Sequence, residues 1–353
     1  MLWQVSVLLL SVILLLVHEV ESGEPDDLAF LSVVADGNLS HRESFRYINC
    51  RYRIRTGTAE TGPEAEKNGP TELHAEHFGR WVVRENQACL VLHSGPGVRQ
   101  SEWSMYNKMR ITDGNLLFTF YSHLGSGSVC PVNSALDGFD GTPFDLWMFG
   151  KDEAASPGHI IHATFARPEN ERMFPVSLIS RSPLVRFKSG NLEFPGEQST
   201  EYVLDGARGY AMSAISFYSK AKNEAASTTR AIVTDWKDCG NSRWFPMRAV
   251  TYSSGEDAFS VREWIVDELN VDSRPADEDL SIVVPAESEV NDLRSAGSQI
   301  VLVKEPRRIS VTNLDELYKH TQDAIVTSKL AEERDLIGRE KFLDVVPLPK
   351  ACR

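Results

Sequence analysis

The chain has 353 residues, 42% of them hydrophobic and 25% charged, proportions of an ordinary folded protein that exclude wholesale disorder and repeated membrane spans. Its formal net charge of −13 argues against nucleic acid and anionic membrane surfaces as partners, because an acidic chain reaches neither without a concentrated basic patch. The length suits one large β domain or two smaller ones.

Residues Val5 to Val17 read VSVLLLSVILLLV, an uncharged run too short to cross a bilayer comfortably and of the length of a signal-peptide core. Val20 and Ser22 satisfy the small-residue rule for a cut after Ser22, so residues 1–22 are expected to be removed on export. Retention as an N-terminal anchor is the other outcome, since the segment MLWQ before the run has no Lys or Arg. Cleavage would remove Glu19 and Glu21 and no basic residue, taking the charge from −13 to about −11 (−13 + 2). No cysteine stands near the cut to take a lipid.

Pro25 to Leu39 has the spacing of a short helix over Leu28, Leu31, Val34 and Ala35. From Ser44 to Arg55 the period becomes two, with Ile48, Cys50, Tyr52 and Ile54 on one face and Asn49, Arg51, Arg53 and Arg55 on the other. Thr56 to Pro70 reads as a loop, and strands follow at 77–84, 87–93, 103–110 and 114–121, separated by turn-like segments. Residues 122–196 lose this regularity and read as an insert, with short helices expected at 143–150 and 171–179. Strand patterns return at 184–194, 201–206, 210–219, 228–236, 243–254 and 260–271, and short ones at 280–284 and 300–303. Thr312 is placed to cap a final helix that is too polar to span a membrane, followed by a tail to residue 353.

Five segments carry a resemblance: FRYINCRYRI (45–54), Gly79-Arg80-Trp81, CGNSRWFPMRAVTY (239–252), DLSIVVPAESEVND (279–292) and RRISVTNLDEL (307–317). With the export segment, they resemble the LolA/LolB-like family of periplasmic lipoprotein carriers, in a divergent form found among exported proteins of planctomycete-type bacteria. The resemblance implies a mainly β fold with a few helices over residues 23–311. Its core would be a strongly curved antiparallel sheet forming an open half barrel, with helices at the mouth, an apolar cavity within, and the strand at 280–284 as its closing edge. It also implies non-enzymatic binding of a lipid, a lipoprotein acyl chain or another apolar ligand, without a cofactor.

Such binding needs large apolar side chains at alternating strand positions. The candidates are Trp81, Trp103, Phe118, Phe120, Met212, Phe217, Trp236, Trp244 and Trp264, with Tyr106 and Tyr252 beside them. Each CH₂ buried there would contribute roughly 0.8 kcal/mol. The same residues would serve equally as an ordinary filled core.

Other chemistry is weakly signalled. Asp137, Asp140 and Asp145 do not follow a calcium-loop spacing. The pairs His74/His77 and His159/His162 lie in runs read as strands, where positions i and i+3 face opposite ways, so no metal site is expected. Cys50, Cys89, Cys130, Cys239 and Cys352 have no CxxC spacing, and Cys50 and Cys89 read as buried free thiols. The sequon Asn38-Leu39-Ser40 would matter in a eukaryotic secreted protein, and the resemblance to a bacterial family implies that it is coincidental. Two rivals to the carrier reading remain: an envelope structural or protein-interaction module, and a secreted hydrolase in which Ser94 or Ser128 would meet a base such as His93 or His123.

Overall fold

The computed structural model describes residues 25–95, 107–132, 157–165, 176–191, 196–221, 227–255, 258–293 and 299–314. Helix α1 (Pro25–Glu43) precedes β1 (Tyr47–Ala59), and helix α2 (Gly62–Asn68) leads into β2 (Glu72–Arg84) and β3 (Gln87–Ser94). Next come β4 (Lys108–Thr112), β5 (Leu116–Tyr121), β6 (Ser126–Pro131), helix α3 (Pro157–Phe165), β7 (Val176–Ser180) and β8 (Val185–Asn191). The long strands β9 (Gly196–Asp205), β10 (Ala211–Ala221), β11 (Ser227–Asp238), β12 (Trp244–Ser254) and β13 (Phe259–Asn270) follow. Four short ones end the described chain: β14 (Ser281–Val284), β15 (Ser288–Asp292), β16 (Gln299–Val303) and β17 (Arg307–Ser310).

Fifteen strands form one sheet in the order β16-β15-β6-β5-β4-β3-β2-β1-β13-β12-β11-β10-β9-β8-β7. It curls without closing, which gives the expected mainly β, open half-barrel architecture. Its neighbours pair antiparallel except β15, which runs parallel to β6. Alternation decides which side chains face inward: Ile48, Cys50, Tyr52 and Ile54 of β1 are all buried, as the period of two requires.

The face carrying these residues, called inner here, is covered by α1 and α3. Leu31, Val34 and Ala35 of α1 and Ile161 of α3 join its core cluster. Asn38 locks this arrangement: its Nδ2 donates to the Tyr210 carbonyl at 2.9 Å and its Oδ1 accepts from the Gly158 amide at 3.2 Å. The sequon asparagine is therefore buried, at 1% exposure, and spent on packing. Gly37 lets α1 come this close, since a Cβ there would lie 2.3 Å from the Tyr210 ring.

On the outer face two separate covers are needed. Over β12 and β13 the cover is α2, which the sequence reading took for loop. Thr61-Gly62-Pro63-Glu64 is a capping sequence, and Thr61 Oγ1 accepts from the Glu64 amide at 3.2 Å. Beneath α2 the carboxylate of Glu263, 1% exposed, accepts from Arg55 at 2.8 Å and Arg248 at 2.6 Å. A buried carboxylate needs such partners.

Over β2 to β6 the cover is β14 paired with β17, a separate two-stranded sheet. Residues 280–284 are therefore not the closing edge of the large sheet. That edge is β16, and β15, which supplies its partner, was not read as a strand at all. The acidic lead-in to β14 is what holds it: Asp277 pairs with Arg84 at 2.6 Å, Asp279 pairs with Arg80, and Arg84 also donates to the Pro275 carbonyl.

The middle of the chain is more regular than its composition suggests. Residues 126–131 and 176–180 are both strands of the main sheet, and β7 replaces the helix expected at 171–179. Val176 and Leu178 pack on the core while Ser177 and Ile179 are exposed, a period of two that no helix offers. The helices expected at 143–150 and after Thr312 lie outside the described residues.

Three substitutions probe these constraints. Gly79→Ala places a Cβ 2.3 Å from the Tyr52 ring, and the overpacking is expected to cost about 2 kcal/mol in urea unfolding. Arg84→Met, at a guanidinium only 8% exposed, is expected to cost about 2 kcal/mol by freeing the strap and leaving its carbonyl unpaired. Asp277→Asn, at an exposed partner, should cost less than half as much, and equal losses would mean that Arg84 acts elsewhere.

Candidate functional site

The inner face is built in rows that run across the strands. One row reads Trp264 (β13), Ile54 (β1), His77 (β2) and Ser94 (β3). The next reads Val266, Tyr52, Gly79 and Leu92, and a third reads Leu269, Cys50, Trp81 and Leu90. Gly79 has a specific role here, because the Tyr52 ring lies over the backbone where a side chain would stand. The result is one apolar wall, continuous from Leu90 and Leu92 across β2, β1 and β13 to Met212 of β10 and Phe187 of β8.

Helix α1 packs on this wall through Leu31, Val34 and Ala35. Its start is tied to the β7–β8 turn by an Asp27–Arg181 ion pair, its end to β12 by the His41 ring, which accepts from the Trp244 amide at 3.3 Å. His162 of α3 reaches back to Asp36 of α1 at 3.0 Å. His159 and His162 are thus on a helix, not on the strand their surroundings suggested. Among the described residues no group of three or more His, Cys, Asp or Glu side chains could hold a metal ion.

The proposed ligand residues fall into several environments. Trp81, Met212 and Trp264 are buried together in the inner wall, and Trp236 packs against it. Phe118 and Phe120 stand on the outer face, stacked 6.4 Å apart in the cluster under β14 and β17. Phe217 is 38% exposed. Trp244 is half-buried, and the Arg208 guanidinium lies over both its ring, at 5.2 Å, and that of Trp236, at 5.5 Å. Tyr252 sits on the outer face under α2 and donates to Glu66 at 2.7 Å. Trp103 and Tyr106 lie outside the described residues, as do Asp137, Asp140 and Asp145. Tyr52, fully buried in the wall, was in the alternating strand pattern but was not singled out.

Burial shifts the titratable groups on both faces of the sheet. Burial lowers His41 and His77 to about 4, with the charge of Arg262 adding to the effect at His77, and burial alone lowers His93 to about 4. Cys50 and Cys89 are pushed up to about 12 by burial, so neither is a thiolate nucleophile at neutral pH. Both are free, as expected, and they face opposite sides of the sheet. One polar atom stands out: the Trp264 indole N–H is buried without a hydrogen-bond partner, in a side chain 6% exposed. Such an orphan donor costs about 1–3 kcal/mol.

The base weighed for Ser94 from the sequence is not beside it: His93, its neighbour along β3, faces the other side of the sheet, and the residue opposite Ser94 on its own face is His77; among the described residues the buried Ser94 Oγ has no hydrogen-bond partner. On the outer face, a cleft of about 250 Å³ lies between the strap and strands β1 and β13, edged by Asn49, Arg51, Arg80, Glu268 and Asp279. Its arginines are occupied by Glu268 and Asp279. Among the described residues no helix is long and apolar enough to cross a membrane.

No family model matches the chain, and no curated protein matches it. Among solved structures it is similar to a domain from Vibrio parahaemolyticus named for outer membrane lipoprotein sorting. Identity there is 9% over 70% of this chain and 94% of that one, with a TM-score of 0.43. It is also similar to the Pseudomonas aeruginosa MucA/MucB complex structure, at 8% identity over 68% of this chain and 95% of that one, with a TM-score of 0.21. At these identities and scores the likeness says nothing about ligand or partner.

The buried histidines set the pH dependence of stability. Unfolded, each binds a proton near pH 6.5, whereas folded it does so only near pH 4. Stability is therefore complete above pH 6.5 and falls as the pH drops from 6.5 toward 4. Urea midpoints should be level from pH 8 to 7 and then decline steadily. A midpoint that stays level down to pH 4.5 would show that these rings take protons in the folded state.

Proposed function

We propose that this chain is an exported, non-enzymatic binding protein that holds the hydrocarbon part of a lipid, a lipoprotein acyl chain or a similar ligand against the inner wall of its sheet. The wall built from Tyr52, Trp81, Leu90, Leu92, Met212 and Trp264 has the chemistry for this, and α1 lies over it. The observation that carries the reading is the Trp264 indole N–H, a donor in an apolar wall with no acceptor among the described residues. An ester or carboxyl oxygen would supply one. The export segment at residues 1–22 and the family resemblance of the sequence point the same way, to the cell envelope.

Native mass spectrometry of the secreted chain, with organic extraction of bound material, is the direct test. Recovery of an acyl-chain species is expected. Trp264→Phe should then reduce ligand retention about tenfold, the worth of one buried hydrogen bond, while leaving the stability of the ligand-free chain equal or higher. A ligand-free mass, with no uptake of added lysophospholipid, would leave the envelope interaction module as the better reading.

A further inference from the structure

The cleft of about 250 Å³ on the outer face is built around one row of the sheet. Arg51 of β1 stands at its centre, directly opposite Glu268 of β13 on one side and Arg80 of β2 on the other. Two guanidiniums thus leave neighbouring strands from Cβ atoms about 5 Å apart, a like-charge pairing that by itself destabilises a sheet. The pairing of β1 with β13 also slips at this row, since Arg51 faces Glu268 but Tyr52 faces Val266, which makes Asp267 an extra residue. A bulge re-aims the side chains around it. Asp267 goes to Arg53, at 2.8 Å, and Glu268 is left to Arg51.

The two arginines are held very differently. Arg80 pairs with Asp279, whose other carboxylate oxygen accepts from the Ala276 amide at 3.1 Å, so this pair is part of the strap. Arg51 meets Glu268 at 3.4 Å, between side chains 41% and 68% exposed. Such a contact is worth little. Asn49 and Asn270, opposite each other across β1 and β13, edge the cleft with neutral amides. Its described charges cancel, Arg51 and Arg80 against Glu268 and Asp279.

We propose that this cleft is a second binding site, one that takes a small zwitterion of the α-amino-acid class, with its carboxylate between Arg51 and Arg80 and its ammonium at Glu268. The site lies on the opposite face from the inner wall and does not depend on lipid binding there. Its volume is below the roughly 300–1,000 Å³ of sites for drug-sized ligands, which limits the ligand to few atoms. A simple anion would gain the guanidiniums but face Glu268 and Asp279, and a simple cation would face both arginines. A zwitterion exchanges the weak Arg51–Glu268 contact for two charge-assisted ones and leaves every charge matched. Asp279 meanwhile stays with Arg80, so the strap keeps its place.

Saturation-transfer NMR of the secreted chain with an equimolar mixture of the proteinogenic amino acids should show a response from at least one, and calorimetry with the strongest responder gives its affinity. Its N-acetyl derivative, which keeps only the carboxylate, and its carboxamide, which keeps only the ammonium, are each expected to bind about tenfold more weakly, the worth of one charge-assisted hydrogen bond. Glu268→Gln should bring the amino acid down to the affinity of its N-acetyl derivative while leaving that derivative unaffected. Arg51→Met should do the same with respect to the carboxamide. No response from any amino acid would overturn the inference. An amino acid that binds both variants as tightly as the wild-type chain would overturn it by placing the ligand elsewhere, and variants that weaken amino acid and derivative alike would do so by showing a loss of fold rather than of a charge contact. Equal binding of the N-acetyl derivative, or of inorganic phosphate, would assign the cleft to simple anions and also overturn it.

Discussion

Both faces of strands β2 and β3 carry large apolar side chains, and this constraint organises the molecule. A pleated strand sends successive residues to opposite sides, so Trp81 and Leu90 on the inner face bring Val82 and Cys89 with them on the outer one. Met109, Ile111, Phe118 and Phe120 extend that outer surface across β4 and β5. Left in water it would be a broad apolar patch inviting association. The chain covers it with its own later segment: β14 and β17 supply Leu280, Ile282, Val284 and Ile309.

Placing that cover depends on charge. The residues between β13 and β14 have no regular structure of their own, and a free connection would lose much entropy on being held. Arg80 and Arg84 of β2 stand at the border of the patch and engage Asp279 and Asp277. Arg84 is nearly buried and also meets a backbone carbonyl, so it positions the strap better than an exposed ion pair would. Central β1 and β13 are instead covered with ion pairs, Arg53 with Asp267 and Arg55 with Glu263, which keeps their outer surface polar.

With the outer face closed in this way, the inner face is left to α1 and α3. Asn38 and His41 fasten α1 through side-chain hydrogen bonds to backbone groups, contacts that define its place over the inner face. The same sheet then turns polar at β4.

The sequence by itself determined the strands, because their side-chain period is a local property: β1, β3, β5 and β8 to β13 stand close to where alternation put them. It also marked α1 by its spacing and, through Thr61 and Glu64, contained the cap of α2 that was passed over. What alternation could not supply is the relation between strands. Phe118 and Phe120 looked equivalent to Trp81, and only the register between β2, β3, β4 and β5 puts them on the opposite face. In the same way DEDLSIVV read as an edge strand because strand character was visible and its partner was not. Register, strand order and the choice of covering element are set by contacts between residues far apart in the chain, and those the tertiary structure alone decided.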